Sequence, residues 1–114
     1  MGGKLGLGRR AAPSPAAQGE MIQLSPAAVE DIERLRTFLD TVNPGAAKRA
    51  LTSIWKAIDR LPELPALGKP TEDAVIRQII VRFGSSGYIV RYIIVPETGD
   101  ILITRIWHGR EART

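Results

Sequence analysis

The side chains of this 114-residue chain that stand out as candidates for acid–base or anion chemistry fall in its C-terminal third, from Arg77 onward. His108 is the only histidine, so it alone has an ordinary pKa near neutrality. It follows Trp107 and precedes Gly109-Arg110. As a catalytic group it would carry a proton; as a plain strand-end histidine it would simply hydrogen-bond to the fold, and the second reading is favoured. No metal site is expected, because neither a second histidine nor any cysteine exists to share the ion. No cofactor is expected either. Arg91 and Arg105 carry more interest. With 96–100 as a short turn, one register sets them opposite each other on neighbouring strands. Like charges so opposed are unfavourable unless an anion lies between them. That anion would be a protein carboxylate or a nucleic-acid phosphate. A slip of one residue would separate the pair, and solvated or internally paired arginines are the competing reading.

The other candidates are graded by their neighbours. Arg77 and Arg82 lie on opposite stripes of one predicted strand, so at most one shares a face with Arg91. Arg110 and Arg113 extend a basic terminus in which Glu111 offers an internal partner. Tyr88 and Tyr92 alternate with Arg91, a mixture able to stack bases; strand aromatics are more often core. Trp55 sits beside a helix stripe and is expected to pack rather than to anchor a target.

The elements that must position these residues follow from hydrophobic period. Met21-Ile22-Gln23-Leu24 alternates as a short strand that can add at a sheet edge. Ser25-Pro26 starts a helix, with Ser25 as the cap, Pro26 in the first turn and Glu30-Asp31 adding negative charge near the N-terminus. Val29, Ile32, Leu35, Leu39 and Val42 then recur at helical spacing. Asn43-Pro44-Gly45 stops this helix and caps the next, whose stripe is Ala47, Ala50, Leu51, Ile54, Ala57, Ile58 and Leu61. So short a break makes an antiparallel helical hairpin. Pro62, Pro65, Gly68 and Pro70 forbid further helix, leaving a connection to about Asp73. From Ala74 the period falls to two. Strands are predicted over 75–83, 88–95 and 101–107, joined by a loop at 84–87 and a turn at 96–100. Two short loops imply a three-stranded antiparallel meander, with the middle strand apolar on much of both faces. The fold class is α+β.

Composition bounds the rest. The length fits one domain, and 44% apolar residues suffice for a single core. The lack of cysteine fits a reducing cytoplasm. No apolar run is long enough to cross a membrane. Residues 1–20 contain Lys4, Arg9 and Arg10 among Gly, Ala, Pro and Ser, with no apolar run behind them. They are read as a disordered arm or an upstream extension rather than a secretory signal, with Met21 as the start of the fold. The formal charge is +4. That is too mild for a dedicated nucleic-acid binder, but the sheet region concentrates arginine and should be the basic side.

With the elements in this order, the sequence resembles the toxins of the RelE/ParE superfamily of bacterial type II toxin–antitoxin systems, nearer the ParE branch. The resemblance covers about residues 21–113. It is carried by Ile22-Gln23-Leu24-Ser25-Pro26-Ala27-Ala28, Asn43-Pro44-Gly45-Ala46-Ala47, the Leu61–Pro70 linker, Tyr88-Ile89-Val90-Arg91-Tyr92 and Ile106-Trp107-His108-Gly109-Arg110. No single piece is diagnostic; the ordered set is fairly specific. The resemblance implies a helical hairpin on a curved antiparallel sheet. It also implies a cognate antitoxin that wraps the toxin, with higher-order toxin–antitoxin assembly open. For the ParE branch the implied target is DNA gyrase, inhibited by binding. For the RelE branch it is messenger RNA cut on the ribosome. RNA cleavage needs a base for the 2′-OH, a stabiliser of phosphate charge and an acid for the leaving oxygen. Here Arg91, Arg105 and His108 are the only set on offer. Tyr88 stands where the ribonucleases tend to carry arginine, and Gly109-Arg110 replaces the terminal tyrosine of several of them. Binding is therefore expected over catalysis. The alternatives are the ribonuclease and a degenerate, non-toxic antitoxin-binding protein. Arg77, Arg82, Arg91, Arg105, Trp107, His108 and Arg110 are the anion- or partner-binding candidates.

Overall fold

The computed structural model describes residues 21–110. The arm expected over 1–20, and Glu111 and Arg113 at the other end, lie outside them. A short strand β1 (Ile22–Leu24) leads into helix α1 (Pro26–Val42) and helix α2 (Pro44–Asp59). Four strands follow: β2 (Lys69–Pro70), β3 (Arg77–Phe83), β4 (Ser86–Ile94) and β5 (Ile101–His108).

Local chemistry sets the helix boundaries. Ser25 caps α1 by accepting the Ala28 amide on its hydroxyl, 3.0 Å away, with Pro26 in the first turn. Asn43 closes α1 by donating its amide to the Leu39 carbonyl. It then caps α2 by accepting the Ala46 amide on its side chain. One residue thus serves both helix ends, and the hairpin has no slack. The α2 stripe is the expected one: Ala47, Ala50, Ile54 and Ile58 are buried, with Leu61 just beyond. In α1 the expected stripe holds through Leu39, with Ile32 and Leu35 in the core and Val29 and Leu39 packed against it. Its buried residues are Ala28, Asp31, Ile32 and Leu35, and Val42 at the hairpin tip is 69% exposed. The expected stripe had run one apolar residue past the end of the core.

The sheet has five strands in the order β1-β5-β4-β3-β2, rather than the three expected. The expected meander is its centre: β3–β4 and β4–β5 are antiparallel. β1 adds parallel to β5 at one edge, and the linker supplies β2 at the other. A lysine and a proline between Gly68 and Thr71 carry no period, which is why β2 is not legible in the sequence. Between β3 and β4 the turn is tighter than the expected four-residue loop. Phe83 pairs with Ser86 around Gly84-Ser85, and Gly84 takes φ +60°, a conformation open to glycine.

Both helices pack on one sheet face. The core joins Ile32, Leu35, Ile54 and Ile58 to Tyr88, Val90, Tyr92, Ile103 and Ile106. β4 is central, as expected, but among the described residues no second layer covers its other face, where Ile89, Arg91 and Ile93 are half-buried among their sheet neighbours.

Tyr92 ties the linker down. Its buried hydroxyl accepts the Gly68 amide at 2.8 Å and donates to the Pro65 carbonyl at 2.7 Å. A Cβ at Gly68 would lie 2.7 Å from the Tyr92 ring and 2.9 Å from the Gln78 carbonyl, so the linker passes where only glycine fits. Arg77 adds a bond from its guanidinium to the Gly68 carbonyl. Tyr92→Phe should therefore orphan buried linker groups and cost about 1–3 kcal/mol. A denaturant midpoint unchanged from wild type would show that the linker does not depend on this hydroxyl.

Candidate functional site: the open sheet face

Cross-strand pairing sorts the candidates between two faces. Tyr88, Val90 and Tyr92 point into the helix-covered core, so Ile89, Arg91 and Ile93 point the other way. On β3, Gln78 pairs with Arg91 and Ile80 with Ile89, which places Ile80 and Arg82 on the open face. Arg77 pairs with core-facing Tyr92 and belongs to the covered side. Arg91 and Arg105 are direct partners, the register in which like charges meet. Ile89 pairs with Trp107, also on this face. Arg82 and Arg105 are exposed; Trp107 is 5% exposed, under the two guanidiniums. Their Cζ atoms stand 5.2 Å (Arg91) and 5.9 Å (Arg105) from its ring centroid, within cation–π range.

Asp31 answers how the two arginines are tolerated. It is 2% exposed, on α1. Its carboxylate accepts from Arg105 Nε at 2.8 Å and Nη2 at 3.2 Å, and from Arg34 Nη1 at 2.6 Å. It also accepts the Ile106 backbone amide at 2.8 Å, and Arg34 donates to the Ile106 carbonyl. β1 pairs with β5 only as far as Ile103. Beyond that point the edge of β5 would bury unpaired backbone groups, a costly arrangement. Asp31 and Arg34 take the place of the missing strand. A bulge at Thr104 marks the changeover: the register shifts between Arg91 and Tyr92, and Ser25 closes the gap through the Ile103 and Thr104 carbonyls. Arg105 is thus engaged by an internal anion, whereas Arg91 leans on neutral Gln78, its Nε 3.1 Å from Oε1.

Burial alone would raise the Asp31 carboxyl, but hydrogen bonds from Arg105, Arg34 and the Ile106 amide outweigh it and hold the group below the usual carboxylate range. A lowered folded-state pKa adds stability that is fully present above the unfolded value, about 3.9, and is lost as pH falls through the folded one. Acid titration of the unfolding midpoint should therefore drop more steeply below about pH 4 in the wild type than in Asp31→Asn. Parallel curves would show that Asp31 gains nothing from its partners.

His108 lies on the other side. It pairs with core-facing Tyr88, and the two rings meet edge to face at 5.2 Å. Its Nδ1 accepts the Arg110 amide at 3.0 Å, which directs the ring proton to Nε2. Arg110 is exposed beyond the strand end. Arg91, Arg105 and Trp107 therefore come together with Arg82, while His108 and Arg77 do not join them. Trp55 packs against the core. Sequence reasoning missed Asp31 and Arg34 as site residues. The signal was there: Asp31 lies three residues after Ala28 and four before Leu35, a charge inside an apolar stripe. Among the described residues no group of three His, Cys, Asp or Glu side chains could hold a metal ion. No helix among them is long and apolar enough to cross a membrane.

The family model for the ParE toxin of the type II toxin–antitoxin system parDE matches residues 22–113. This chain belongs to the ParE toxin family. It is similar to Toxin RelE1 of Caulobacter vibrioides, 35% identical over 92 residues that cover 81% of this chain and 96% of that protein. Toxin RelE3 of the same organism is 33% identical, over 81% and 97% of the two chains. Among solved structures, a chain of the chromosomal ParDE toxin–antitoxin system from P. aeruginosa has the same fold, with a TM-score of 0.65 at 16% identity, over 79% of this chain and 96% of that one. The protein is thus a toxin of the ParE/RelE superfamily, which implies an antitoxin partner.

Proposed function

We propose that this ParE-family toxin arrests growth by binding DNA gyrase in the cytoplasm, not by cleaving RNA, and that its antitoxin blocks this. The family model carries the ParE name and the curated relatives the RelE name, so the choice of target rests on chemistry. The observation that carries it is the separation of the acid–base group from the arginines. His108 packs against Tyr88 on the helix side, while Arg91 and Arg105 pair on the open face. A ribonuclease needs proton carriers and a phosphate-stabilising cation around one ribose. A binding inhibitor needs only a presented surface, and the open face offers cations beside apolar side chains. The test is a supercoiling assay with purified gyrase and relaxed plasmid. Inhibition that persists in His108→Gln supports the reading; full gyrase activity at saturating toxin overturns it.

A further inference from the structure

The chain leaves β5 through two hydrogen bonds of different chemistry. Gly109 donates its amide to the Gly87 carbonyl at 2.7 Å, a backbone bond indifferent to pH. Arg110 donates its amide to His108 Nδ1 at 3.0 Å, a bond that exists only while that nitrogen carries no proton. Gly109 stands between the two and is pressed against β4: a Cβ on it would lie 3.0 Å from the Gly87 carbonyl oxygen. The first bond therefore fixes where β5 ends. The second fixes the direction that the chain takes from there.

We propose that His108 is a pH-sensitive latch on the C-terminal end of the chain, which fixes the backbone at Arg110 while the ring is neutral and releases it when the ring is protonated. An imidazolium has a proton on both nitrogens and no acceptor left. The Arg110 amide would then meet a second donor at Nδ1 and has to turn away. The surroundings of the ring follow from the elements packed around it. From β4 it meets Tyr88, edge to face at 5.2 Å, whose hydroxyl burial keeps in its neutral form. The turn from Gly84 to Gly87 brings no charge. From α1, Arg34 reaches the Ile106 carbonyl, two residues back along β5. The α1 carboxylate on this stretch, Asp31, is engaged by Arg34, Arg105 and the Ile106 amide. On its own element the ring is followed by Arg110, with Glu111 and Arg113 further on. Histidine changes charge between about pH 5 and pH 8, so such a latch would answer to modest acidification. His108 lies on the helix side of the sheet, away from the Arg91–Arg105 pair. The latch thus governs the basic terminus and not the open face.

The test is NMR of the isotope-labelled whole chain, titrated across that range. The Arg110 amide resonance should move with the His108 ring carbons at one shared midpoint. Its hydrogen exchange, corrected for the intrinsic effect of pH, should speed up by about fivefold on the acid side, the worth of one such bond. The Gly109 amide should keep its protection throughout. His108→Asn supplies an acceptor near the place of Nδ1 that does not titrate, and should hold Arg110 on both sides of the range. His108→Ala should leave Arg110 unprotected on both sides. An Arg110 amide equally protected before and after the ring takes up its proton would overturn the latch. So would a ring that stays in one charge state across the range, or a pH step at Arg110 that survives in His108→Asn.

Discussion

Asp31→Ala should lower the stability of the domain by about 3 kcal/mol, the largest effect expected of a single truncation outside the apolar core. Two losses add up. The Ile106 amide, buried at the sheet edge, is left without its acceptor. Arg105 and Arg34 lose the carboxylate between them. Both arginines are more than 40% exposed along their side chains, so water recovers part of the ionic loss and the backbone amide dominates. In a domain of this size the change corresponds to a fall in Tm of about 15 °C. Asp31→Asn keeps an acceptor for Ile106 but not the ion pairs, and should fall between the two. Thermal unfolding of the three proteins checks the order. Equal stability of Asp31→Ala and wild type would mean that α1 does not substitute for the missing strand.

The second large effect is a divergence between the two arginines of one cross-strand pair. Arg91→Glu should fold with a Tm within a few degrees of wild type, since the groups that Arg91 leans on among the described residues, Gln78 and Trp107, are neutral. It should weaken binding of the antitoxin or of gyrase by about tenfold to a hundredfold, since a reversed charge repels an acidic partner. Arg105→Glu should fail to fold stably, because it sets a second carboxylate against buried Asp31. Circular dichroism and a binding titration on both variants separate the roles. An Arg91→Glu variant that folds and binds both partners at wild-type strength would remove Arg91 from the interface. A stable Arg105→Glu would contradict the Asp31 contact.

These two results divide along the same line as what the sequence reveals. Helix caps are legible because Ser25, Pro26, Asn43 and Pro44 act through bonds to residues three or four places away. The meander is legible because its turns are short and its strands alternate. β1 and β2 are too brief for periodicity to fix their partners: one pairs across 79 residues, the other sits in a Pro-Gly linker. For the site, the Arg91–Arg105 register followed from turn length, but the anion that relieves it lies on α1, far away in sequence. Asp31 looks like helix N-terminal charge until β5 is laid beside it. The separation of His108 from the arginines follows from the same register, since His108 lies three residues beyond Arg105 and strand alternation puts the two on opposite faces.

Growth arrest through gyrase and not through RNA is tested by regulated expression of the toxin without its antitoxin, with plasmid topology and the 5′ ends of messages followed in the same cells. Loss of negative supercoiling while messages stay intact is the expected result. Cleavage within codons at unchanged supercoiling would contradict it.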